Sequence, residues 1–258
     1  MRLSYLLVLI LSLSLLSACS QHSNKDNQNK TNQKKVLFVL TSHNELGETG
    51  EKTGFWLEEF ATPYYKLLDK GVKITIVSPK GGKAPIDPRS KSENSQTEAT
   101  KRFFNDEAVQ NIIKNTMKLE DVKAEDYDAV FYPGGHGPLW DLAESKTSKT
   151  LIEAFNKQGK PMAFVCHGPA VLKNVENTKG EPLVKGKKVT GFTNTEEEAA
   201  QLSNVVPFKV EDMLKKNGGI YSKAANWNVN VVKDGNLITG QNPASSSRVA
   251  ELLYESIK

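Results

Sequence analysis

The stretch AFVCHGPA, residues 163–170, sets a thiol beside an imidazole at the end of an apolar run and ahead of a Gly-Pro break. A strand that stops at Cys166 and turns into a helix would lift the sulfur above the edge of a sheet. There the helix N-terminus favours a thiolate and nearby backbone N–H groups can face an oxyanion. Cys166 is then a candidate nucleophile, with His167 placed to orient or deprotonate it. Free cysteine also fills cores as a small hydrophobe, which is the competing structural reading. A core filler asks nothing of an adjacent His-Gly-Pro.

Three further groups could join that chemistry. GGHG at 134–137 offers small residues, Gly134 and Gly135, where a substrate can approach backbone. His136 within it either binds substrate or satisfies a local backbone group. Glu58 and Glu59 follow two aromatics in GFWLEE; the stripe Leu57, Phe60, Tyr64 and Leu67 puts Glu59 on the opposite side of a helix, which on periodicity alone predicts a solvated carboxylate. The acidic run TNTEEE (193–198) contains Thr195-x-x-Glu198, a capping-box spacing, so Glu196 and Glu197 have a structural reading as first-turn carboxylates. His136, His167 and Cys166 form no metal-ligand spacing, and no metal is expected.

The elements that must position these groups alternate between strand-like and helix-like runs. KKVLFVLTS (34–42), VKITIVSP (72–79), DAVFYPGG (128–135), PMAFVC (161–166) and KKVTGF (187–192) are β-rich. Helical spacing follows at TGFWLEEFATPYYKLLDKG, FFNDEAVQNIIKNTMKL (103–119), SKTSKTLIEAFNKQG (145–159) and VEDMLKKNGG. VNVVKDGNLITG (229–240) reads as a hairpin with Asp234-Gly235 at its turn, and ASSSRVAELLYESIK as a C-terminal helix that Ser245 or Ser246 caps. Near-continuous apolar strands alternating with helices predict an α/β fold, a mostly parallel sheet covered on both faces. Sites in such sheets collect at the carboxyl ends of strands, where YPGGHG and FVCHG both fall. The polar connection 80–101 should lie near the mouth of that site.

The N-terminus carries a different signal. One arginine, an apolar stretch and Leu16-Ser17-Ala18-Cys19 resemble a bacterial lipoprotein signal, with residues 1–18 removed and Cys19 lipidated. Residues 20–35 hold no aliphatic or aromatic side chain and cannot bury enough surface to fold, so 19–35 reads as a tether. The chain's formal charge is +4; without Arg2 and the tether's four Lys and one Asp, residues 36–258 carry 0. A neutral globule gives no support for nucleic-acid binding, whereas the tether's lysines suit an anionic lipid surface. The expected location is extracytoplasmic, anchored to the membrane. Roughly 220 residues remain for one domain, with Cys166 the only unmodified thiol and no intramolecular disulfide.

KTGFWLEEFATPYYKLLDKG, PGGHGPLWDL, AFVCHGPAVL, GKKVTGFTNTEEE and TGQNPASS, in this order, resemble the ThiJ/PfpI superfamily, most of all its heat-shock chaperone and glyoxalase III subgroup. The likeness runs from about Lys34 to the C-terminus. It implies a flavodoxin-like sandwich with a nucleophile elbow at Cys166. It also implies that Glu59 works with the cysteine, that Glu197 supports His167, and that the Gly135 and His167 N–H groups form an oxyanion site. Glu58 and Glu196 remain open as competing assignments. The implied reaction converts a 2-oxoaldehyde such as methylglyoxal to a 2-hydroxy acid without glutathione, metal or redox cofactor. Alternatives on the same resemblance are an envelope holdase for unfolded clients, and a deglycase or cysteine peptidase using the same residues. The resemblance also makes a homodimer a candidate assembly. Glutamine amidotransfer is disfavoured, because that chemistry needs a histidine well downstream of the cysteine and the last one here is His167.

Overall fold

The computed structural model describes residues 33–258, within which Lys34–Lys258 forms one compact unit. Cys19, the leader and most of the tether lie outside the described residues. Strand β1 (Lys35–Val39) is buried on both faces, as its unbroken apolar sequence requires. It pairs in parallel with β2 (Lys73–Ser78) on one side and β4 (Ala129–Tyr132) on the other. Beyond β2 lies the two-residue β3 (Met117–Lys118); beyond β4 lies β5 (Met162–Val165), then β9 (Leu237–Gly240) and β8 (Val231–Asp234). The seven-stranded order is β3-β2-β1-β4-β5-β9-β8, parallel except for the β8–β9 hairpin. A separate parallel pair joins β6 (Lys188–Val189) to β7 (Ile220–Tyr221).

Alternation along β1 divides the core. Val36 and Phe38 face α1 (Leu57–Leu68) and α7 (Ser246–Ile257), with α2 (Glu98–Phe104) and α3 (Glu107–Lys114) on the same side. Leu37 and Val39 face α4 (Lys146–Lys157) and α6 (Val210–Lys216). The mostly parallel, doubly covered α/β sheet expected from the strand runs is the one found.

Several local expectations shift. The single helix expected over 103–119 is two helices and a strand, because Asp106 caps α3 by accepting from Val109 N and breaks the register after Phe104. KKVTGF contributes only β6, outside the main sheet. The hairpin turns at Gly235-Asn236, one residue later than expected, since Asp234 still pairs with Leu237. Neither Ser245 nor Ser246 caps α7; Ser245 Oγ donates to the Asn230 carbonyl instead. The capping box at α5 (Asn194–Ala199) is Thr193 with Glu196, two residues before the expected pair.

Candidate active site

β5 ends at Val165, and Cys166 takes φ 60°, a left-handed conformation that costs an L-residue roughly 1–2 kcal/mol. Two backbone bonds hold it there: Cys166 N donates to the Gly240 carbonyl at 2.9 Å, and Phe192 N donates to the Cys166 carbonyl at 2.9 Å. The helix expected after the elbow is a short 3-10 helix, Gly168–Leu172. Gly168 is needed because a Cβ there would lie 2.4 Å from the Tyr132 carbonyl oxygen.

Cys166 is 4 % exposed, and burial pushes its thiol well above the ordinary range, with the adjacent Glu59 adding to the effect. The Gly135 N–H opposes that rise, but burial outweighs it, against the thiolate that a helix N-terminus was expected to favour. His167 Nδ1 lies 3.3 Å from the sulfur. On its far side His167 Nε2 meets Glu197 Oε2 at 2.7 Å. Burial works against the Glu197 charge, yet the two imidazoles beside it hold its carboxyl well below the usual carboxylate range. An ionised carboxylate only accepts, so His167 Nε2 donates to Glu197 and Nδ1 is the nitrogen that faces the thiol. Cys166, His167 and Glu197 form a continuous proton path.

Glu59 is fully buried, against the solvated position that periodicity alone predicted. α1 is covered on both sides, and its first turn points at the ends of β4 and β5. Pro63 withholds the donor that Glu59's carbonyl would ordinarily receive from position i+4. Gly134 N donates to Glu59 Oε2 at 2.7 Å, while Oε1 accepts no hydrogen bond. Burial raises Glu59 to about 8, with contacts to the Cys166 thiol and Gly134 N opposing the shift. Burial thus favours the protonated carboxyl at neutral pH. Glu58 is elsewhere, accepting from Thr62 Oγ1 at 2.7 Å and from Thr97 Oγ1. Glu196 is structural: besides the cap it accepts from Trp227 N at 2.8 Å, Gln241 Nε2 at 3.1 Å and Asn242 Nδ2 at 2.8 Å.

The GGHG glycines serve packing as well as access. A Cβ on Gly134 would come within 2.7 Å of Glu59 Oε2 and 2.6 Å of His167 N. Gly135, at φ 81°, passes so close to the entry of α1 that a Cβ would lie 2.4 Å from the Gly54 carbonyl oxygen. His136 is buried and joins the same network, its Nε2 2.9 Å from Glu197 Oε1. Burial, then His167, pushes His136 down to about 4. His136, His167 and Glu197 place one ligand-type atom each within 4.8 Å of one another, a spacing a metal ion can use. In this arrangement both imidazole Nε2 atoms are hydrogen bonded to Glu197, and the Arg89 guanidinium sits 3.1 Å from His136 Nδ1. A fixed cation at that position does not suit a second one.

These groups line a cavity of about 210 Å³. Glu59, Cys166 and His167 form its reactive side, and Trp56, Phe192, Trp227 and Pro243 its apolar walls. Trp227 stands at the rim, 49 % exposed with φ 64°, its ring 5.7 Å from Phe192. Arg89, from the predicted mouth loop, and the three aromatics were not identifiable as site residues in sequence; only the position of the loop was.

A cysteine on a strained elbow, a buried acid from the first helix and a histidine–glutamate pair at the carboxyl ends of a parallel sheet define an α/β enzyme site of the cysteine type. The chain belongs to the DJ-1/PfpI family, whose profile matches residues 52–256. It is 33 % identical over 225 residues to Glyoxalase 3 of Candida albicans, spanning 84 % of this chain and 95 % of that one. It is likewise 33 % identical over 236 residues to the glutathione-independent glyoxalase HSP31 of Saccharomyces cerevisiae, spanning 87 % and 98 %. Among solved structures it resembles the Rapid Encystment Protein of 24 kDa from Francisella tularensis, with TM-score 0.84 and 39 % identity over 88 % of this chain and all of the other. Glyoxalase III from Candida albicans follows with TM-score 0.80 and 31 % identity, covering 88 % of this chain and 98 % of the other.

Proposed function

We propose that this protein is a glutathione-independent glyoxalase of the lyase type, converting methylglyoxal-like 2-oxoaldehydes to 2-hydroxy acids on Cys166. The observation that carries the reading is the placement of the Cys166 thiol and the buried Glu59 carboxyl side by side on one cavity, with His167 on the sulfur's other side. Isomerising a 2-oxoaldehyde requires a nucleophile to capture the aldehyde and a single group to lift a proton from one carbon and return it to the next. The named activities of the two fungal relatives support the same reading.

Substrate arrival draws the Cys166 proton to His167 Nδ1, with Glu197 stabilising the imidazolium that forms. The sulfur attacks the aldehyde carbon, and Glu59 protonates the resulting oxyanion, which the Gly135 and His167 N–H groups stabilise. Now a carboxylate, Glu59 takes the hydrogen from the thiohemiacetal carbon. It returns that proton to the neighbouring carbon through an enediol, while the hydroxyl proton of the first carbon passes to the neighbouring oxygen, leaving a 2-hydroxy thioester. Water cleaves the thioester, its hydroxyl joining the acyl carbon and its remaining proton returning Glu59 to the acid form; His167 gives its proton back to the sulfur as the 2-hydroxy acid leaves. The net change is addition of one water to the substrate, and every group ends as it began.

Incubating the full protein with methylglyoxal in the absence of glutathione tests the proposal. Lactate accumulation with multiple turnovers, abolished by Cys166→Ala, is the expected result; turnover that survives the substitution would refute it.

A further inference from the structure

We propose that the Asp87–Arg89 pair is a positioning element for the reaction above: it pins His136 in one tautomer so that Glu197 receives an N–H from each histidine and His167 presents a bare nitrogen to Cys166. The proposal rests on that reading of the site but makes a claim about the resting protein that holds or fails without turnover.

Each hydrogen bond has an assigned donor: Arg89 donates to Asp87 and to His136, and Glu197 accepts from both histidines. Asp87 is fully buried and accepts from Thr53 Oγ1 at 2.9 Å, Arg89 N at 2.9 Å and Arg89 Nε at 3.0 Å. Its Oδ2 also takes Arg89 Nη2 at 2.5 Å. The fork of contacts fixes the guanidinium plane in a way a single point charge could not. The same Nη2 lies 3.1 Å from His136 Nδ1. A guanidinium cannot accept or lose a proton, so His136 Nδ1 must be the acceptor and Nε2 must carry the hydrogen. That hydrogen goes to Glu197 Oε1, leaving Oε2 for His167. A chain of hydrogen bonds with assigned donors thus links the buried Asp87 to the histidine beside the reactive sulfur.

His136 is faced by Arg89 from the 3-10 turn Pro88–Lys91, by Glu197 from α5 and by His167 from the elbow, with ring centroids of the two histidines 4.1 Å apart. Arg89 in turn feels Asp87, Glu51 and Glu197. Without the guanidinium, His136 is free to accept a second proton. A cationic His136 would neutralise Glu197 and weaken its hold on the His167 Nε2–H. Arg89 acts through His136 and Glu197, so it is a positioning residue.

Nitrogen-15 NMR of the histidine side chains in the full protein tests this directly. In the wild type, His136 should show Nδ1 unprotonated and Nε2 protonated from pH 5 to about 8. In Arg89→Met, His136 Nδ1 should take up a proton within that range. The acid limb of kcat for methylglyoxal should move toward neutral pH, and kcat at pH 7 should fall on the order of tenfold with KM changed by less than about twofold. Arg89→Lys, which can still donate to Nδ1, should recover part of the loss. A protonated His136 Nδ1 in the wild type overturns the proposal whether or not the variants fold. A rise in KM with kcat intact overturns it too, by making Arg89 a substrate contact. If methylglyoxal is not a substrate, the wild-type and Arg89→Met spectra still decide the matter.

Discussion

Glu59 is where burial and chemistry meet most sharply. Its carboxyl is raised from 4.5 to about 8, chiefly by burial, so the folded protein holds a proton that the unfolded chain has lost by neutral pH. The native state binds the extra proton between those values, and stability must fall as pH rises through that window. Glu59→Gln keeps an acceptor for Gly134 N without an ionisable group. Its thermal midpoint should match the wild type near pH 4.5 and exceed it increasingly toward pH 8, by on the order of a few kcal/mol, while turnover is lost. A constant difference across the range would mean that Glu59 is not the group titrating. Cys166 belongs to the same argument: thiolate absorbance removed by Cys166→Ala should be absent at pH 7 and develop only well above the usual thiol range.

At the scale of elements, the elbow and α5 do the positioning, and each yields a test. Cys166 sits at φ 60°, so Cys166→Gly removes the strain that Cys166→Ala retains. The glycine variant should melt higher than the alanine variant by about 1 kcal/mol, despite burying less. Glu196 ties α5 to the Trp227 rim and the end of β9 through three donors beyond its own cap, two of them fully buried. Glu196→Ala should lower stability by about 2–4 kcal/mol, read in a denaturant melt, because those donors lose their acceptor. Much of this scaffold was legible in the sequence. Unbroken apolar strands marked the parallel sheet, and the Cys-His-Gly-Pro sequence after one of them marked the elbow. Periodicity misplaced Glu59, because α1 is buried on two sides and its partly exposed edge runs along Glu58, Thr62 and Lys66 instead. The break at Asn105-Asp106 lay hidden inside an apolar pattern that ran through it. Arg89 and Trp227 are set by contacts across 47 and 31 positions, to His136 and Glu196, and no local pattern encodes those.

For the whole molecule, one α/β unit carries the reactive groups at a single rim, and the membrane question belongs to residues outside that unit. Among the described residues no helix is long and apolar enough to cross a bilayer. The reading of residues 1–35 as leader, lipidated Cys19 and tether predicts that Cys19→Ala moves the full-length protein from the membrane fraction to the soluble fraction in a bacterial host. Unchanged membrane recovery would contradict lipidation at that cysteine. The catalytic unit is expected to keep its turnover in the soluble form, since every group assigned to the reaction lies between Glu59 and Glu197.

The most direct test of the central claim, that one cysteine captures the aldehyde and one glutamate moves its proton, is a rapid-mixing experiment with Glu59→Gln and methylglyoxal without glutathione. The account predicts loss of methylglyoxal that stops at one equivalent per protein, as a thiohemiacetal on Cys166, with no lactate formed. Continued lactate production by Glu59→Gln would contradict it.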